Sequence, residues 1–137
     1  MKHIGINGVY KQYNNIEELK NECKKHNIIL GNNIIIEDWV NIGKHSSIGD
    51  NCIICSNTVI GWHNLIMNNV VIGENVILED SVYIKSNSKI YGYTTIGFKT
   101  KVNSNLVIDG GKDILYRLLI SGFSVVKNSI KIKSKKK

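Results

Sequence analysis

The sequence predicts an all-β parallel solenoid, and two observations carry that prediction. The first is a period of six. Leu30, Ile36, Ile42, Ile48, Ile54, Ile60, Ile66, Ile72, Leu78, Ile84, Ile90, Ile96, Val102 and Ile108 recur at that spacing, fourteen branched aliphatics without a break. A helix repeats near 3.6 residues and a flat strand near 2, so a period of six marks a repeating coil instead. The second observation is that the intervening positions keep their own character. Gly recurs one residue after the aliphatic, at 31, 43, 49, 61, 73 and 97, and Asn three residues after it, at 33, 51, 57, 69, 75, 87 and 105. Both tolerate positive φ, so positions two to four of the hexad read as a corner. Position five is small or β-branched in nearly every hexad. Positions five, six and one then form a short strand with five and one inward and six outward.

The pattern resembles that of the hexapeptide-repeat superfamily, over about 80 of the 137 residues. The resemblance implies a left-handed parallel β-helix of triangular section, with three hexads per coil and about four coils over 30–111. It also implies a homotrimer and, for most members, acyl transfer from acyl-CoA or acyl-carrier protein; other members are not catalytic. A short solenoid buries too little apolar surface to offset chain ordering comfortably, which independently favours an oligomer.

Before the coils, residues 1–29 read as a hairpin and a capping helix. Asn7-Gly8 is a two-residue turn signal between His3–Ile6 and Val9–Tyr13. Asn15 and Glu18 form a capping-box pair opening a helix over about 16–26, with Ile16, Leu19 and Cys23 on one face. That helix is expected to cover the open end of the solenoid.

Residues eighteen apart stack in the coils. One corner carries Asn33, Asn51, Asn69, Asn87 and Asn105, expected to bond amide to amide along the stack. A second carries Trp39, Asn57, Asn75 and Tyr93. The third stacks Lys44-His45, Trp62-His63, Glu79-Asp80-Ser81 and Phe98-Lys99. Position six separates three faces: a first with Ile35, Ile53, Val71, Lys89 and Val107, a second with Asn41, Val59, Ile77 and Thr95, and a third with Ser47, Leu65, Tyr83 and Lys101. The first is the most apolar and is the expected subunit contact. The period reads as ending at Gly110-Gly111, with no inserted loop before it. Residues 112–137 are expected to form two strands, or a short helix at 113–120 and one strand, that close the far end or reach over a neighbour.

The net charge of +7 resides in 112–137, which hold eight positive charges against Asp113; residues 1–111 balance at ten and ten. Without interleaved aromatics the basic tail does not read as a nucleic-acid groove. No leader-like segment and no membrane-length apolar run occur, and Cys23, Cys52 and Cys55 suit a reducing compartment, so a cytoplasmic protein without membrane contact is expected. Cys52 and Cys55 form a lone C-x-x-C with no second ligand pair, and no metal is expected.

The third corner is the candidate site. His45 and His63 lie one coil apart, roughly 5 Å between Cα atoms. By the resemblance, a corner histidine deprotonates the acceptor and acyl-CoA lies between subunits. His63, followed by Asn64, matches best, although it occupies position four where the family's histidine commonly occupies position three. Asp80 and Glu79 are candidates to support it as a base. Trp62 and Phe98 offer faces to a ligand; His45, Lys44 and Lys99 complete the binding set. Position four also favours residues that accept left-handed geometry, so both histidines can also be read as corner fillers. Two functions stay open. One is acyl transfer from acetyl-CoA or another acyl-CoA to a small hydroxyl or amine acceptor, such as a sugar or nucleotide sugar. The other is a non-catalytic trimer that holds an anionic, nucleotide-like molecule between subunits.

Overall fold

The computed structural model of the protein describes residues 2–132. Three parallel ladders run the length of the chain, one per face, and two of them are six strands deep. Each rung pairs with the residue eighteen positions away: Ile35 with Ile53, Asn41 with Val59, Ser47 with Leu65. The six-residue aliphatics point inward, and those from Ile42 to Ile108 are 1% exposed or less. A dry column of stacked Ile, Val and Leu side chains therefore holds the coils together.

The corners differ from expectation in which residue bends. Position four alone takes positive φ, from Asn33 (56°) through His63 (56°) to Asn105 (64°), with Gly92 substituting in the one irregular corner. The position-two glycines serve close approach instead. A Cβ on Gly61 would sit 2.4 Å from Asp80 Oδ1, and one on Gly43 2.5 Å from the Gly61 backbone. These contacts exist because position three reaches back one coil: Asp50 Oδ1 accepts from Asn32 N (2.8 Å), Asn68 Oδ1 from Asp50 N (2.8 Å) and Asp80 Oδ1 from Trp62 N (2.8 Å). The expected amide ladder of the position-four asparagines does not form among the described residues. Their backbone N–H groups bind the coil below instead, as Asn69 N does Asp50 O at 2.9 Å.

Strand β1 (Lys2–Ile6) and strand β2 (Val9–Tyr13) form the hairpin, with Asn7 and Gly8 at φ 53° and 85°. Strand β1 pairs parallel with Val40–Ile42, so it serves as one more rung of the second face. Helix α1 (Ile16–Lys24) is capped by Asn15 and buries Leu19 and Cys23 over the coil end, while Ile16 stays on the surface. It stops two residues earlier than expected. Asn27 turns left-handed (φ 58°), Asn27 N donates to Lys24 O (3.1 Å), and Ile28 N donates to Cys23 O (3.0 Å), the paired bonds of a Schellman stop.

At the far end the expected count of about four coils is corrected to about six turns. Leu118–Ile120, Val125–Val126 and Ile130–Lys131 neither close the end nor reach away; they extend the three ladders. Ile96 pairs with Ile120, a separation of 24, whereas Leu78 pairs with Ile96 at 18. One whole hexad is thus extruded from the second corner, just beyond the stretch read as uninterrupted. Gly111 (φ 80°) turns the chain out, and Asp113 caps a short 3₁₀ turn over Ile114–Tyr116. Arg117 pins the return: its Nη1 donates to Asn75 O (3.1 Å), Thr94 O (3.3 Å) and Thr95 Oγ1 (3.3 Å). The basic run at 133–137 lies outside the described residues.

Candidate functional site

The third corner joins the second face to the third and repeats one backbone motif. The position-four N–H donates to the position-three carbonyl one coil below: His63 N to Lys44 O (3.1 Å), Ser81 N to Trp62 O (2.9 Å), Lys99 N to Asp80 O (3.1 Å). Side chains at equivalent positions are therefore held in register. His45 and His63 both sit in the left-handed region (φ 63° and 56°), both exposed, with imidazoles stacked at 4.7 Å and 11° between planes. Beside them Lys44 Nζ lies 4.2 Å from the Trp62 ring centre. Two coils further, beyond Asp80 and Ser81, Phe98 and Lys99 occupy the same column.

Among the described residues both candidate carboxylates bond to backbone N–H groups. Asp80 Oδ1 accepts from Trp62 N, and Glu79 Oε1 accepts from Phe98 N (3.0 Å). Both hold the corner backbone, and among the described residues neither hydrogen-bonds either imidazole. Phe123 was missed from the sequence. It takes φ 60°, meets Phe98 edge-on at 5.4 Å, and with Phe98 flanks Lys99 Nζ at 5.9 and 5.2 Å. A signal existed, because Ile120 and Val126 keep the hexad phase of Ile108 and place Phe123 at position four.

Asn64, next to His63, points into the core and is 1% exposed. At the same inward hexad position elsewhere, hydroxyls donate to a corner carbonyl: Ser46 Oγ to Gly61 O (2.9 Å), Thr58 Oγ1 to Gly73 O (2.7 Å), Ser88 Oγ to Asn103 O (2.7 Å). Asn64 instead accepts from Val82 N through Oδ1 (2.6 Å) and leaves Nδ2 without a partner among the described residues. A buried unpaired donor is costly, so Asn64→Thr is expected to raise stability by about 1 kcal/mol. A higher urea midpoint with unchanged slope would register it; a lower midpoint would mean Nδ2 has a partner in solution.

The C-x-x-C is split by the coil. Cys52 is buried and Sγ donates to Met67 O (3.0 Å), whereas Cys55 lies half-buried on the second corner. Burial first, then the carboxylate of Glu37, pushes the Cys55 thiol up to about 11. Burial pushes Cys23 up to about 12 and Cys52 upward as well. The thiolate, the reactive form, is therefore suppressed at all three. No rapid reaction with Ellman's reagent is expected at pH 8 in the native protein, and three thiols should appear after denaturation. One fast thiol in the native protein would contradict this. Among the described residues no group of three or more His, Cys, Asp or Glu is placed to hold a metal ion.

A second histidine cluster caps the N-terminal end. His3 stacks on Trp39 at 4.3 Å and 2°, its Nδ1 lies 3.2 Å from Asp38 Oδ1, and its Nε2 lies 2.9 Å from Gln12 Nε2. The His3 backbone N–H, then its ring, hold the Asp38 carboxyl below the usual carboxylate range. Trp39 stands at φ 64° in a slot elsewhere held mainly by Asn, and these contacts hold it there.

No family model matches the sequence, and no curated protein matches it. Solved structures do. A hexapeptide-repeat-containing acetyltransferase from Vibrio cholerae superposes with a TM-score of 0.58 at 18% identity, over 83% of this chain and 76% of that one. PerB from Caulobacter crescentus, solved with CoA and GDP-perosamine, gives 0.50 at 17% identity over 78% of this chain. The match spans 46% of the PerB chain. At such identities the likeness is one of architecture, and it agrees with the six-residue period and the three parallel ladders: the chain has the fold of the hexapeptide-repeat transferase superfamily.

Proposed function

We propose that the protein is a homotrimeric acyltransferase that moves an acyl group from acyl-CoA to a hydroxyl or amine of a small acceptor, a sugar or nucleotide sugar. The observation that carries this reading is the exposed His45–His63 stack beside the Lys44–Trp62 pair. His63 takes the proton from the acceptor, whose oxygen or nitrogen attacks the thioester carbonyl. The C–S bond breaks, and the protonated imidazole returns its proton to the departing CoA sulfur. Trp62 and Phe98 give flat apolar contact to the ligand, and Lys44 and Lys99 meet phosphate charge. The column lies on an outer edge of the solenoid, so a neighbouring subunit would supply the other wall. CoA and a nucleotide sugar bound to PerB support the substrate class.

One observation favours the second reading, a trimer that binds an anionic small molecule without turnover: Asp80 and Glu79 are engaged by backbone N–H groups, not by His63. Native mass spectrometry with acetyl-CoA, followed by a screen of amino sugars and nucleotide sugars for acetylated product, separates the two. A trimer that takes up acetyl-CoA and yields product supports transfer. A trimer that carries another anion and makes no product supports retention. A monomer that binds neither defeats both.

A further inference from the structure

The last coil shows more apolar surface to solvent than the coils inside the stack. Ile114 (61% exposed), Leu115 (84%), Leu119 (66%), Phe123 (72%) and Val125 (53%) follow one another round the end of the solenoid, from the extruded hexad across the second face and third corner to the third face. Outward aliphatics within the stack, such as Val59 (39%) and Leu65 (41%), are more covered. Exposed Lys127 and Lys131 occupy the rest of the rim, and exposed Lys112 stands at the base of the extruded hexad. From residue 99 onward the chain holds ten positive and two negative charges. Those two, Asp109 and Asp113, each accept a backbone N–H, from Gly111 and Leu115 at 2.9 Å.

We infer that this end of the solenoid docks on an anionic lipid surface, with Ile114, Leu115, Leu119 and Phe123 entering the headgroup boundary and the surrounding lysines meeting lipid charge. This departs from the expectation of no membrane contact. Aliphatic tips inside a basic collar combine the two forces that hold peripheral proteins on anionic bilayers. A second copy meeting this one end to end would face its own excess of positive charge. Nucleic acid would leave the aliphatic tips without a partner. Among the described residues no helix is long and apolar enough to cross a membrane, so contact is from one side. His63 lies three rungs from Phe123, about 14 Å from the docked rim.

Vesicle co-sedimentation tests this with the full chain. The protein should pellet with mixed phosphatidylcholine–phosphatidylglycerol vesicles and not with phosphatidylcholine alone. Ile114→Ser with Leu115→Ser should weaken that binding by about tenfold or more, with an unchanged circular dichroism spectrum and melting temperature because both side chains project from the fold. Equal binding to both vesicles overturns the inference. Binding that survives the serine changes and vanishes in salt reduces it to adsorption by lysines. Vesicle-free assemblies that Leu115→Ser dissolves would assign the rim to a second copy.

Discussion

Replacing His63 by asparagine is expected to lower kcat by about a hundredfold to ten-thousandfold, the usual range for a lost general base, while the melting temperature and the affinity for acyl-CoA hold. Asparagine is the informative choice because of the backbone. His63 stands at φ 56°, and the same slot is asparagine at 33, 51, 57, 69, 75, 87 and 105, all at φ between 56° and 66°. The substitution therefore keeps the corner conformation and removes only the imidazole. His45→Asn is the paired control. It breaks the 4.7 Å ring stack and leaves His63 in place, so a smaller loss is expected. Steady-state kinetics on both variants decides the matter. Equal turnover in His63→Asn and the parent protein would reduce both histidines to corner residues.

Much of the fold was legible because the repeat is enforced at every coil. An inward aliphatic that failed would leave a void in a narrow, fully buried column, so the period survives as a continuous signal. The extruded hexad shows the limit. Ile114 falls in phase between Ile108 and Ile120 and still stands 61% exposed. Phase marks where an aliphatic would fit and does not say whether its hexad stays in the coil; the Asp109-Gly110-Gly111 turn and the Arg117 anchor decide that. Site geometry was half legible. Stacking of His45 on His63 follows from the eighteen-residue coil. The role of Asp80 does not, because a carboxylate at position three has two reachable partners, an imidazole or the N–H of the coil below. The glycine at position 61 opens room for the second, and the backbone bond wins.

The core offers the second large effect. Ile72→Ala is expected to cost about 3–4 kcal/mol, the transfer term plus the cavity left in a rigid column. Ile72 is fully buried, between Ile54 below and Ile90 above in its ladder. Backbone bonds on all three faces fix the spacing of the coils, so the walls have little freedom to collapse. Ile120→Ala should cost less, because Ile120 is 8% exposed in the last rung of its face and its void opens toward solvent. Chemical denaturation at fixed protein concentration measures both. A loss under about 1 kcal/mol at Ile72 would mean that the rungs close up. Location matters as well as size, since a solenoid couples each coil only to its neighbours. A central cavity weakens the contact between the coils that carry His45 and His63 and those that carry Phe98 and Phe123. If the chain unfolds as one unit, fluorescence from Trp62 and far-ultraviolet dichroism will fall together in Ile72→Ala. If the two halves part, the Trp62 signal will separate from the rest, and the histidine corner will prove to rest on a stability of its own.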